Sequence, residues 1–313
     1  MIGFCWQITA VNESLIQALD WGKLVPLRMR ARTVADGVYA GTHRSARRGA
    51  GIEFGGHRAY VPGDDLRWLD RHALMRHGQL LVRQFETETD RALCLVIDAS
   101  ASMAFRSERA PAAKLAYAAL IGAALARIAL GGSDPVGLNW VGGERGQSLP
   151  ATGGRATFDR VVGCLERIRP GGDLRLDAEA LERSLAPVAR QAGRGSIIVL
   201  LSDLLDLPEG AVERVTALST HHRTVLVVRV LDPVEASFPF DGPVRLRALE
   251  GNALVETNAE TARADYLRAL RRIATEWNER LLARGGRVIE TVTTDDPVRV
   301  VRDILLSAEG KGR

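Results

Sequence analysis

The chain has 313 residues and a mass of 34.0 kDa, with 46% hydrophobic and 26% charged residues. That composition excludes a collagen-like or low-complexity protein and a chain disordered throughout, and the length suits two domains or one large domain with an appendage. Net charge is +4 and the isoelectric point near 9.2, but of the 42 basic residues only Lys23, Lys114 and Lys311 are lysine. This is a bias toward arginine, and a nucleic-acid surface would need the charges clustered.

The first ninety residues differ from the rest. Leu15, Leu19, Leu24 and Leu27 among polar positions predict a helix over 12–35, interrupted by Pro26. The following GTHRSARRGAGIEFGGHRAYVPGDDLRWLD is rich in Gly, Arg and Asp and predicts loops and short strands. Gln79 to Phe85 predicts a strand. From Arg91 the pattern becomes regular. RALCLVID, ending at Asp98, reads as a buried parallel strand. An Ala/Leu helix is expected from about 112 to 130, a strand at Pro135–Val141 and a short strand in QSLPA. Helices are expected near 156–168 and 177–191, then a buried strand at Ser196–Asp203. A helix over 209–219 and a strand at Arg223–Leu231 follow. PVRLRALEGNALVET predicts a hairpin turning at Gly251-Asn252. A long helix from Glu260 to Arg284, a strand in RVIETVTT and a helix from Pro297 complete the order. The alternation implies a doubly wound α/β domain, with a mostly parallel sheet, over residues 91–313, and a small β-containing appendage over 1–90.

No apolar run approaches the ~20 residues of a membrane span; Leu115 to Leu130 is interrupted by Arg127. The opening MIGFCWQITAVNESL has no basic or long apolar region, so no signal peptide is expected. Cys5, Cys94 and Cys164 are odd in number and far apart, which predicts no disulfide framework or zinc site and a reducing, cytoplasmic setting.

Ligands of open α/β sheets sit at the carboxyl ends of the strands. After the first apolar run comes Asp98-Ala99-Ser100-Ala101-Ser102, a carboxylate and two hydroxyls on one loop. Hard oxygen donors of this kind suit Mg²⁺ or Mn²⁺. Asp and Ser also serve as helix N-caps, so the same pentapeptide is compatible with a plain helix entry. Ser202-Asp203 ends the other central strand, and the two aspartates are expected to converge.

D-x-S-x-S is similar to the metal-ion-dependent adhesion site of von Willebrand factor type A domains. GTHRSARRGAGIEF (41–54), HRAYVPGDDLRWLD (57–70), LVRQFETETDR (81–91), LVIDASASM (95–103), IIVLLSDLLD (197–206) and FPFDGPVRLRALEG (238–251) resemble the domain-of-unknown-function-58 family, over about 12–306. The resemblance implies a von Willebrand factor type A-like fold with adhesion-site ligands at Asp98, Ser100, Ser102 and Asp203. The family loop Gly-Gly-Thr-Asp-Leu here reads Gly171-Gly172-Asp173-Leu174 after Pro170, so the threonine ligand is absent and Asp173 is its candidate substitute. The family's Ile-Asp-Trp is altered to Leu69-Asp70-Arg71. The resemblance further implies a non-enzymatic protein-interaction module, with a MoxR-type AAA+ ATPase and a client protein as partners.

Two other functions have motifs behind them. Asp64 and Asp65 in Tyr60-Val61-Pro62-Gly63-Asp64-Asp65, with Asp98, could serve a metal-dependent phosphoesterase, or form ion pairs with Arg58 and Arg67. The Arg28–Arg48 segment could bind nucleic acid, although it lacks the aromatic residues on which bases stack. His72 and His77 lack an H-E-x-x-H arrangement, and neither a G-x-S-x-G elbow nor a Walker lysine occurs.

Overall fold

A computed structural model of the chain describes residues 6–8, 27–41, 53–60, 70, 75, 78, 80–86, 91–143, 148–220, 222–248 and 254–309. It divides into two compact units, Arg44–Asp90 in one and Met1–His43 with Arg91–Arg313 in the other.

The larger unit is built on β4 (Leu93–Asp98), whose six residues are all buried. Burial on both faces is what its unbroken apolar run requires. β5 (Val136–Val141), β7 (Ile197–Ser202), β8 (Thr224–Leu231) and β11 (Arg287–Val292) pair in parallel around it, and β6 (Ser148–Thr152) closes one edge antiparallel to β5. The order is β11-β8-β7-β4-β5-β6. The chain leaves β4 toward β5 and later returns to β7 on its other side, so the carboxyl end of β4 is the switch point where such sheets bind ligands.

Alternate residues of each strand face opposite layers. Leu95, Ile97, Leu138, Val199 and Leu201 pack against α1 (Leu27–Gly41), α2 (Lys114–Gly131), α3 (Arg155–Leu165) and α8 (Pro297–Glu309). Cys94, Val96, Ile198, Leu200 and Val227 pack against α4 (Ala178–Gln191), α5 (Ala211–Ala217) and α7 (Ala259–Leu282). Full burial of each such side chain contributes about 1.5–3 kcal/mol. By length and composition α2 could cross a membrane, with mean hydropathy 1.5, but 67% of it is buried within the unit. Its apolarity is accounted for by the sheet and helices it touches.

The region 1–90 does not form one appendage. Leu27, Ala31, Val34 and Val38 repeat at helical spacing and join the core beside α2 and α8, so α1 belongs with the α/β unit. The helix expected over 12–35 is found at Leu27–Gly41, directly after Pro26; a proline lacks the N–H that a helix interior requires. Residues 12–26 lie outside the described residues.

In the unit Arg44–Asp90, β2 (Glu53–Ala59) and β3 (Leu81–Glu86) pair antiparallel. The Pro62-Gly63-Asp64-Asp65 motif, His72 and His77 lie outside the described residues. The predicted hairpin forms from β9 (Pro243–Ala248) and β10 (Leu254–Asn258), and β1 (Trp6–Ile8) adds a third strand that the sequence did not suggest. Its turn at Gly251-Asn252 is outside the described residues. A short helix, α6 (Pro233–Ser237), was also not expected.

Candidate functional site

Three loops meet at the carboxyl end of β4. Ala99 N–H donates to the Val141 carbonyl at 2.7 Å, Gly171 N–H to Ala99 at 2.9 Å, Gly143 N–H to Gly171 at 2.8 Å, and Ala101 N–H to Gly172 at 3.2 Å. The close approach demands glycine. Gly142 has φ +76°, and a Cβ there would lie 2.9 Å from Ser100 N. D-x-S-x-S is thereby held against the loop that carries Gly172 and Asp173. A 3-10 turn at Ala101–Ala104 follows it.

Both aspartates fold back on their own loops. Asp98 Oδ1 accepts from Ser100 N–H at 2.9 Å, and Asp203 Oδ1 accepts from Leu205 N–H at 3.0 Å, the local turn geometry that Asp favours. The strand ends are also joined directly, since the Ser202 hydroxyl donates to Asp98 Oδ2 at 2.5 Å. Ser100 and Ser102 hydroxyls share a hydrogen bond of 3.0 Å, and Ser102 also bonds to Asp203. Asp98, Ser100, Ser102 and Asp203 therefore do come together, each no more than 1% exposed. Leu204, between Asp203 and Leu205, has φ +62°, an unfavourable conformation for a bulky residue that the surrounding structure must hold in place.

The residue that sequence reasoning missed is Lys114. Its ammonium donates to Asp203 Oδ2 at 2.8 Å and to Glu235 Oε1 at 2.7 Å, and it is 0% exposed. Lys114 opens α2, where the helix dipole opposes a cation; the two carboxylates offset that field. Glu235 is fixed in turn by the capping box of α6. Its Oε2 accepts from Asp232 N–H at 3.0 Å, while Asp232 Oδ1 accepts from Val234 N–H at 2.8 Å. Two sequence signals pointed here. Lys114 is one of three lysines in an arginine-biased chain, and Asp232-Pro233-Val234-Glu235 is a capping-box pattern.

Charge is unevenly balanced across this rim. Burial, then the Asp203 charge, push Asp98 up to about 6 against its bonds from Ser202 and Ser100. Burial works to raise Asp203 too, but the Lys114 ammonium and the bonds from Leu205 and Ser102 outweigh it and hold Asp203 below its ordinary range. Burial and Asp203 raise Glu235 despite Lys114. Asp206, a second acid the sequence did not single out, is pushed up to about 7 by burial and by Asp203. Among the described residues neither Asp206 oxygen has a hydrogen-bond donor, and Arg175 Nη1 lies 3.5 Å away.

Beside this rim is a cavity of about 310 Å³, lined by Asn139, Trp140, Gly142, Gly172, Asp173 and Ser184 among others. Asn139 is 1% exposed, and among the described residues neither its amide oxygen nor its amide nitrogen has a hydrogen-bond partner. A buried amide left unpaired costs about 1–3 kcal/mol per group, so the wall of this cavity offers an unused donor and acceptor.

The donors fit a divalent cation poorly. Gly172 supplies no side chain at the position where the resemblance implies a threonine ligand. Asp173 Oδ1 accepts from Arg175 N–H at 2.9 Å and Nε at 3.1 Å, and its Oδ2 from Nη2 at 3.0 Å, so the candidate substitute is clamped by arginine. The Asp203 oxygen turned away from its own loop already receives the Lys114 ammonium. Among the described residues no group of three His, Cys, Asp or Glu side chains is placed to hold a metal ion.

Residues 56–276 match the family described as "Protein of unknown function DUF58". The chain is 31% identical over 249 residues to "Uncharacterized protein Rv1480" of Mycobacterium tuberculosis, covering 78% of this chain and 75% of that protein. Among solved structures it is similar to the conserved hypothetical protein BatB from Bacteroides thetaiotaomicron, at 16% identity and TM-score 0.44, covering 70% of this chain and 99% of that one. It is also similar to a von Willebrand factor type A structure from Catenulispora acidiphila, at 14% identity and TM-score 0.39, covering 74% and 45%. With the family match spanning most of the α/β unit and β4 bearing D-x-S-x-S at its carboxyl end, the chain belongs to the DUF58 family.

Proposed function

We propose that the chain is a non-enzymatic protein-interaction module that receives a partner at the carboxyl rim of its sheet, where the D-x-S-x-S loop borders the Asn139 cavity. One observation carries this reading: a buried, unpaired Asn139 amide lines a cavity at the switch point, where an α/β sheet offers ligands its most concave surface. A side-chain or backbone amide of a partner satisfies both the donor and the acceptor of Asn139. The hydroxyls of Ser100 and Ser102 bond to each other and to a carboxylate, as befits a scaffold rather than an activated nucleophile. The family resemblance supplies the partner, a MoxR-type AAA+ ATPase, in assembly or activation of a client protein on the cytoplasmic side. No step of this reading passes through a metal.

The test is capture of the cognate MoxR-type ATPase by immobilised wild type and by Asn139→Leu, with circular dichroism confirming that the variant folds. Binding that falls at least about tenfold, the loss expected for one buried polar contact, supports the rim as the contact. Undiminished capture by folded Asn139→Leu rejects it.

A further inference from the structure

We propose that Lys114 is the resident cation of this rim, a tethered ammonium that neutralises Asp203, the acid that the resemblance assigns to a divalent ion. The inference is independent of which partner the rim receives. It rests on where Lys114 lies and on what the other donors do. The ammonium is buried and bridges Asp203 of the β7 end to Glu235 of the α6 cap, at 2.8 and 2.7 Å. Asp203 receives Ser102 of the D-x-S-x-S loop as well, so one carboxylate separates the ammonium from the hydroxyl pair. A divalent ion drawn to Asp203 would face a like charge across that carboxylate, in a medium that screens it weakly. The remaining donors have been turned elsewhere. Asp98 is engaged by Ser202 and by Ser100 N–H, Asp173 is clamped by Arg175, and Gly172 has no side-chain oxygen while its carbonyl accepts from Ala101 N–H.

The choice of lysine agrees with this role. Among the described residues of the α/β unit every other Lys or Arg side chain is arginine, whose wide planar fork does not reproduce a compact point charge. A lysine at the first position of a helix works against the helix dipole, so its burial there is explained by the acids it holds together.

The experiment uses the full chain and Mn²⁺ alone as probe, followed by calorimetric titration and by paramagnetic resonance of bound Mn²⁺. Wild type is expected to bind no Mn²⁺ in the millimolar range and to unfold at one temperature with Mn²⁺ or with chelator. Lys114→Met frees Asp203, and Lys114→Met with Glu235→Gln frees it without stranding the second acid. A folded variant of either kind is expected to gain Mn²⁺ binding at least about tenfold tighter than wild type, through loss of the like charge. Wild-type binding that Asp98→Asn abolishes would overturn the proposal. So would a folded variant lacking Lys114 that still binds no Mn²⁺. Even if neither variant folds, wild-type binding of Mn²⁺ in the millimolar range overturns the proposal.

Discussion

Replacing Asp206 by asparagine should stabilise the protein at alkaline pH, although it removes a charge beside Arg175. The side chain is 3% exposed, among the described residues both of its oxygens are without hydrogen-bond partners, and Arg175 Nη1 is at 3.5 Å. Burial, and then the Asp203 charge, lift its pKa from 3.8 to about 7, lowering the acid dissociation constant. Each tenfold change in that constant is about 1.4 kcal/mol, so the ionised form weakens the fold by up to about 4 kcal/mol. The sign follows from proton uptake. Between pH 3.8 and about 7 the folded chain holds the Asp206 proton and the unfolded chain has released it, so stability falls as pH rises through that window. Asp98, raised to about 6, acts in the same direction over the lower part of it. Urea denaturation followed by the fluorescence of buried Trp140 and Trp277 measures this within the α/β unit. Asp206→Asn should match wild type near pH 4 and exceed it by up to about 4 kcal/mol at pH 8, leaving the shallower slope of the other raised acids, Asp98 and Glu235. A variant less stable than wild type at pH 8, with the full slope retained, would refute the view that Asp206 is an uncompensated buried acid.

The other predictions address the loops and the ion pairs. Lys114→Ala leaves Asp203 and Glu235 buried without their cation and should cost about 3–5 kcal/mol in urea denaturation; combining it with Glu235→Gln should recover part of that loss in a double-mutant cycle. Gly142→Ala forces φ +76° on an alanine and sets its Cβ 2.9 Å from Ser100 N. Its cost should be about 1–3 kcal/mol, read as a lowered thermal midpoint together with weaker partner capture. Asn139→Leu replaces an unpaired amide with an apolar group of similar size, so the urea midpoint should stay level or rise; a fall of more than about 1 kcal/mol would mean that the amide is paired in solution.

The strands were legible because burial on both faces leaves little choice of residue. LCLVID and SIIVLLSD could be little else than central strands, and from their ends the convergence of Asp98 and Asp203 followed by topology alone. The loops and caps were less legible, for reasons that differ from place to place. Residues 1–90 read as one region because composition shifts at Arg91, yet α1 is bound to the core by four apolar residues whose partners on α2 and α8 are distant in the chain. Periodicity shows that Leu27, Ala31, Val34 and Val38 share a face; it does not show what covers that face.

The rim shows the same division between motif and partner. Asp98, Ser100, Ser102 and Asp203 form a short pattern that can be recognised in one dimension, and the structure brings these four side chains to one rim. The pattern is silent on the cation. Lys114 follows the last of those serines by twelve residues in the chain and Glu235 lies far beyond, and nothing local links either to the motif. A buried lysine is costly unless paired, so its position among arginines was the one clue that it had partners to meet. Gly172 and Lys114 then belong to a single physical circumstance. An oxygen ligand was absent from one loop, and a positive charge was already supplied from the helix opposite, so the carboxylates of this rim are held together by the protein's own ammonium.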